Sequence, residues 1–389
     1  MDAEERRSQI LDLVRARGFV RVTDLVADFQ VSSMTIRRDL AVLSGRGVIE
    51  KVHGGGVVGP ATSAPPEQSL GPADPDHQRA SGIQGQSADG KDAGTHIGIV
   101  VPSGHYYFPI VVGGARRVLD ARSVRRALAI SGYDPEQDRV LVQQLLDAGS
   151  TGLLLAPSVA LGDENAERID WLFELPVPVV LVERTVTSAD RGAALCSVRT
   201  DHELGCERAV RHLARLGHRG VALVTQGTSQ TKSRVINGWQ HAVVACGLDS
   251  ALSPLVATSP QANLDLWPTN DAIRSVLDEL QEAGATAALV HSDQTALPLL
   301  HHARMRGWRI PQDLSVIAYD NEIAEMADPP LTAVSPPKAW VGQAAAELLM
   351  ELVAGAGSGP VRHVVAEPEL VVRRSTAAPR TTPLPEPLS

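Results

Sequence analysis

The sequence predicts an α/β protein: a small N-terminal helical module with a β wing, then a larger bilobed domain built on two parallel sheets. Three observations point that way. Residues 4–58 hold short amphipathic segments closing on a Gly-rich turn. Residues 59–94 are rich in Pro, Gly, Ser and Ala, with almost no large apolar side chains. From residue 96 onward, short branched-aliphatic runs alternate with helical periods.

In the first module, Ile10, Leu13 and Val14 share one face of a first helix. Thr23 is placed to cap a second helix carrying Leu25, Val26 and Phe29 on its apolar face. After a turn at Gln30–Val31, Ile36, Leu40 and Leu43 recur at helical spacing. That inward face leaves Ser33, Thr35, Arg37 and Arg38 on or beside the exposed first turns. A helix presented in this way can enter a major groove and offer hydroxyl and guanidinium donors to phosphates and base edges. Gly45 and Gly47 break the helix, and VIEKV followed by HGGG turns like a wing, bringing Lys51 and His53 to the same side.

The segment 59–94 cannot bury enough apolar surface to order itself and reads as a flexible linker; residues 376–389 read as a disordered tail of the same kind. Between them, 95–375 forms the large domain. HIGIVV (96–101), RALAI (126–130), GLLLAP (152–157), PVVLV (178–182), GVALVT (220–225), AALVHSD (287–293) and LSVIAYD (314–320) read as buried parallel strands. RVLVQQLLDAG (139–149), CERAVRHLARLGH (206–218) and DAIRSVLDELQEAG (271–284) read as helices between them. One doubly wound sheet is possible at this length, but two similar lobes fit better.

Composition narrows the function classes. A net charge of −9 excludes a nonspecific polycation, so any DNA affinity must come from a local patch. Cys196, Cys206 and Cys246 have no CxxC or Cys/His spacing, and His202, His218, His291, His301 and His302 form no convincing metal set. These histidines read as helix-surface or turn residues, and neither a metal nor a cofactor is expected. There is no Gly-rich phosphate loop, GxSxG elbow or convincing carboxylate pair, so an enzyme is not expected. The charged MDAEERRSQI start and the lack of a long apolar run predict a cytoplasmic protein.

VSSMTIRRDLAVLSGRGVIEKVHGGGVV closely resembles the DeoR-type winged helix-turn-helix. From His96 onward the chain resembles the lactose-repressor/galactose-repressor sensor domain, which shares the periplasmic-binding-protein fold. HIGIVVPSGHYYFP, VRTDHELGCERAVRHLARLGHRGVALV, HSDQTALPLLHHARMRGWRIPQDLSVIAYDNEIAEMADPPLTAV and PELVVRRST carry that likeness. The resemblance implies a ligand-responsive, DNA-binding transcriptional regulator, a repressor of carbohydrate genes, acting as a homodimer on operator DNA. It implies a sugar-like effector between two lobes, the first about 95–200 and 337–357, the second about 201–336 and 358–375. By the same resemblance Tyr107, Phe108, Arg234, Trp267, Ser292 and Asp320 face the ligand, with Asp320 accepting from its hydroxyls and Trp267 stacking on it. Alternatives stay open at this point: Asp320 as a strand-end turn former beside Asn321, Trp267 as a rim residue, and Tyr106, Tyr107 and Phe108 as packing within their own lobe. Asp293 reads as the cap of the helix that follows it.

The sequence departs from that family in three places. Arg234 lies five residues before Trp239 instead of four, Pro336 replaces a polar residue so that only Lys338 could supply its contact, and the linker has no counterpart of the family's hinge helix.

Overall fold

The computed structural model describes residues 84–86, 94–158, 169–188, 193–226, 231–258, 268–356 and 360–379. In the N-terminal module it describes 6–7, 9–11, 19–21, 29, 31, 35–36, 39–40, 42–43, 49–52 and 55–58. Residues 1–78 and 79–389 form two compact units.

In the first unit, Ile10, Ile36, Leu40 and Leu43 are buried, as their helical spacing predicts. Asp39 is also buried and accepts from Arg6 Nε at 2.6 Å, with Arg7 Nε at 3.6 Å, tying the first helical segment to the third. The wing is a hairpin of β2 (Ile49–Val52) and β3 (Gly55–Val58), and β1 (Phe19–Arg21) adds to the far edge of β3.

The second unit holds two sheets, one per lobe. The strands of the first are β4 (Gln84–Gln86), β5 (His96–Val101), β6 (Arg125–Ile130), β7 (Gly152–Leu155), β8 (Val179–Val182), β11 (Cys196–Thr200) and β17 (His363–Ala366). Their order is β17-β11-β8-β7-β5-β6-β4, all parallel except β4, which pairs antiparallel with β6 and lies inside the stretch read as linker. A small hairpin of β9 (Thr187–Ser188) and β10 (Ala193–Ala194) stands apart. The second sheet runs β13 (Leu255–Thr258), β12 (Ala222–Gln226), β14 (Ala287–His291), β15 (Ser315–Tyr319), β16 (Thr332–Ser335), β18 (Glu369–Val371), with only β18 antiparallel. The central strands are buried on both faces, which is why each reads as an unbroken apolar run.

Helices α1 (Phe108–Ala121), α2 (Pro135–Asp147) and α7 (Lys338–Glu351) cover the first sheet. Helices α3 (His202–Arg215), α4 (Lys232–Ala245), α5 (Asn270–Glu282) and α6 (Asp293–Met305) cover the second. Caps follow ordinary chemistry: Asp134 accepts from Glu136 N–H at 2.9 Å, Asp201 from Leu204 N–H at 3.1 Å, and Thr269 from Ala272 N–H at 3.2 Å. Helices α1 and α7 cross so closely that a Cβ on Gly114 would stand 1.9 Å from the Ala339 carbonyl, and one on Gly342 1.8 Å from that of Val111.

The chain passes between lobes three times, from β11 into α3, from β16 into α7 and from β17 into β18. The last passage corrects the expected lobe boundary. Residues 363–366 complete the first sheet, because β17 pairs in parallel with β11, and only β18 returns to the second. The stretch read as tail is anchored at its start: Ala377 accepts from Ser315 Oγ at 3.1 Å and its N–H donates back to that hydroxyl at 3.0 Å. Among the described residues no helix is long and apolar enough to cross a membrane, and no group of three or more His, Cys, Asp or Glu could hold a metal.

Candidate functional site

The carboxyl ends of both sheets face each other between the lobes, where ligands of open α/β sheets bind. In the second lobe β15 ends at Tyr319, and Asp320 and Asn321 turn the chain at φ 93° and 57°. Asp320 is buried, and its N–H donates to the Val334 carbonyl at 3.0 Å. Beside it Asp293, the first residue of α6, accepts from the N–H groups of Asn321 at 3.3 Å, Glu322 at 2.6 Å and Ile323 at 2.9 Å. It therefore braces the loop after β15 and does not cap its own helix, as sequence spacing suggested. Burial, and then the charge of Asp320, push the Asp293 carboxyl up to about 6.

The first lobe reaches across through the loop after β5. Ser103 Oγ accepts from His105 N–H at 3.1 Å and fixes the turn, after which Tyr106 adopts φ 63°. The Tyr106 hydroxyl accepts from Asp293 N–H at 3.2 Å and from the Ser292 hydroxyl, and donates to the Asp320 carboxylate. Burial and the two carboxylates raise the Tyr106 phenol well above its ordinary range, so it stays a donor.

A second connection starts at α7. The buried Lys338 ammonium donates to the Asp320 carbonyl at 2.5 Å, pairs with Glu322 Oε1 at 2.6 Å and lies 5.2 Å from the centre of the Tyr107 ring. A third runs through Glu183, at the end of β8. Its Oε1 accepts from Tyr107 Oη at 2.7 Å and Thr200 Oγ1 at 2.8 Å; its Oε2 accepts from Thr200 N–H at 2.9 Å and lies 3.4 Å from His202 Nε2. Burial alone would raise this carboxyl, but His202, the Thr200 N–H and the Tyr107 hydroxyl hold it at about 2. His202 Nδ1 is 3.1 Å from the Tyr319 hydroxyl, carrying the network into the second lobe.

The remaining cations near this face are engaged. Arg184, buried, donates to the carbonyls of Pro157 at 3.2 Å and Glu183 at 2.9 Å. Arg234 reaches from α4 to Thr185 Oγ1 at 2.7 Å and lies 3.5 Å from Glu203. Behind Arg184, Ser131 and Ser158 hydroxyls meet at 3.3 Å, and the buried Asp138 accepts from Ser158 N–H at 2.6 Å.

Of the residues singled out in the sequence, Tyr107, Ser292 and Asp320 come together at this face. Phe108 does not: it begins α1 and packs into the core of the first lobe with Val111, Val341 and Ala345. Arg234 lies at the lobe boundary on the partners just named. Trp267 lies outside the described residues, as do Ser33, Arg37, Arg38 and His53; Thr35 is half-buried on a helical turn, and Lys51 belongs to β2. The reading of His202, His218 and His291 as surface or turn residues does not hold. All three are buried, His218 between Thr286 Oγ1 at 2.8 Å and the Ala377 carbonyl at 2.9 Å, and His291 edge-on to the Tyr319 ring. Tyr106, Glu183 and His202 were missed, since their partners lie 76 to 187 residues away or on another strand's end.

Such a face, with hydroxyls, carboxylates and one ammonium converging from both lobes, suits a polyhydroxylated molecule. Comparison with known proteins adds an independent line. A model of the DeoR-like helix-turn-helix domain matches residues 6–59, and one of the periplasmic binding protein-like domain matches residues 210–376. The chain is 27% identical to the arabinose metabolism transcriptional repressor of Geobacillus stearothermophilus over 361 residues, 91% of this chain and 90% of that protein. It is 32% identical to an uncharacterized HTH-type transcriptional regulator in the aml 5' region of Streptomyces limosus over 273 residues, 66% of this chain and 74% of that one. Among solved structures, a complex of the transcriptional regulator CelR with cellobiose is similar at a TM-score of 0.59 and 25% identity, over 72% of this chain and 84% of that one.

Proposed function

The chain belongs to the helix-turn-helix transcriptional regulators that carry a periplasmic-binding-protein-like domain, and from that premise we propose that it represses carbohydrate uptake or catabolism genes in answer to a sugar-like effector bound between its lobes. It is a regulator and not an enzyme. The observation that carries the effector reading is Asp320, a buried carboxylate at the carboxyl end of β15 with side chains from both lobes converging on it. The relatives named for arabinose metabolism and solved with cellobiose support a sugar as the class of effector. We place the protein in the cytoplasm, where operator DNA is.

DNA reading belongs to Ser33, Thr35, Arg37 and Arg38 of the recognition helix, with Lys51 and His53 of the wing contacting phosphates. One winged helix buries too little DNA for operator-level affinity, so the active form is a homodimer on repeated half-sites. With Pro and Gly running through residues 59–94, a folding hinge helix is excluded there, and ligand must act through the geometry of the dimer.

The experiment is calorimetry of the full chain and of Asp320→Asn with L-arabinose, D-ribose and cellobiose. Asn keeps the size and one acceptor but loses the charge, so affinity should fall by about 1.5–3 kcal/mol, the range for a hydrogen bond to a charged group. Operator binding should be unchanged. Wild-type sugar affinity in Asp320→Asn would leave Asp320 a turn former and remove the effector assignment.

A further inference from the structure

We propose that the Tyr106 hydroxyl holds, on Asp320, the place of a ligand hydroxyl, so that Tyr106 competes with the effector and the subsite takes uncharged hydroxyl donors in preference to phosphate or carboxylate groups. This deepens the effector-site reading above and rests on it.

Tyr106 belongs to the first lobe, yet the three groups that its hydroxyl meets belong to the second: Asp293 N–H, the Ser292 hydroxyl and the Asp320 carboxylate. One donation and two acceptances use the full capacity of a hydroxyl. A sugar hydroxyl has the same donor and the same lone pairs, so it satisfies the same three groups without rearranging them. The two cannot do so together, because the Asp293 N–H has one hydrogen to give. The backbone supports exchange: at φ 63° Tyr106 sits in a region that a bulky residue adopts at a cost, and leaving Asp320 releases it.

Charge then selects among ligands. The cations described around this face are already engaged: Lys338 by Glu322 and the Asp320 carbonyl, Arg184 by two carbonyls, Arg234 by Glu203 and Thr185. An anion arriving at Asp320 meets a carboxylate with Asp293 directly behind it, and gains a cation only by breaking one of those contacts. An uncharged hydroxyl meets no such barrier.

Full-length wild type, Tyr106→Phe and Asp320→Asn are titrated by calorimetry with L-arabinose, D-ribose, cellobiose, ribose 5-phosphate and D-galacturonate. The sugar that binds wild type should bind Tyr106→Phe about tenfold more tightly, because a competing hydrogen bond is gone. Neither anionic probe should bind either protein. Without added sugar, Tyr106→Phe should melt below wild type, since Asp293 N–H and Asp320 lose their partner. A sugar that binds Tyr106→Phe no better than wild type, or worse, makes Tyr106 a bystander or a ligand contact and overturns the competition. Tight binding of either anion overturns the charge selection. If no sugar binds wild type or Tyr106→Phe, the effector assignment itself fails, a different outcome from the first two.

Discussion

Replacing Lys338 by Met isolates what one buried charge does between the lobes. Methionine keeps the length of the stem that lies against Tyr107 but removes the ammonium, leaving Glu322 without its partner at 2.6 Å and the Asp320 carbonyl without its donor. Breaking one side of a buried ion pair costs roughly 3–5 kcal/mol, because the survivor keeps its desolvation penalty and loses its compensation. The Glu322 side chain retains 14% exposure, enough for water on one side, so about 2–4 kcal/mol is the appropriate range here. The loss should depend on pH. Burial already raises the Glu322 carboxyl, with Lys338 pulling it back down. Without Lys338 it rises further, so the native state binds more protons than the unfolded chain across that window, and stability grows as pH falls. Urea unfolding of the full chain at pH 5 and pH 7, followed by tryptophan fluorescence, reads both effects. Lys338→Met/Glu322→Gln should recover most of the deficit. Wild-type stability in Lys338→Met at pH 7, or a deficit that acid does not reduce, would refute the reasoning.

Gly342→Ala forces a Cβ into the Val111 carbonyl where α1 and α7 cross, and backbone cannot step aside as a side chain would. It should cost about 3 kcal/mol or more and lower Tm by roughly 6–12 °C in a thermal melt, whereas no change would mean the helices separate freely. Arg38→Ala and Thr35→Ala should weaken operator binding and flatten its salt dependence while leaving sugar binding intact, checked by fluorescence anisotropy over a salt series. Sedimentation of the operator complex should show two chains per site, and a single chain would exclude the dimer.

The central strands were legible in the sequence because burial on both faces writes itself as a run such as VVLV or GLLL, independent of any partner. The recognition module was legible for a similar reason: Ile10, Ile36, Leu40 and Leu43 satisfy a local helical period. Edge strands were harder. HVVA of β17 alternates between exposed and half-buried positions, and only its pairing with β11, 166 residues away at Ser197 and His363, decides its lobe. The site was half legible. Asp320 stands at a strand end that the sequence marks, but nothing near Glu183 or His202 announces that they will meet each other, Tyr107 and Tyr319. Lys338 was visible only as a charge after two prolines. Its burial follows from the approach of α7 to the loop after β15, a tertiary event.

The three passages between the lobes have a consequence for how the protein is made. Both sheets are finished by residues near the end of the chain, β17 closing one edge and β18 the other. On the ribosome the DNA-reading module emerges first, and neither half of the sensor has its full set of strands until residue 371 has been added. A nonsense mutation or proteolytic cut upstream of residue 363 therefore does not leave one intact lobe and one damaged one. It strips an edge from both together while sparing the module that finds the operator. Shortened chains of this kind would be deaf to the effector yet still able to reach DNA, and would turn a responsive repressor into a dominant, unresponsive one.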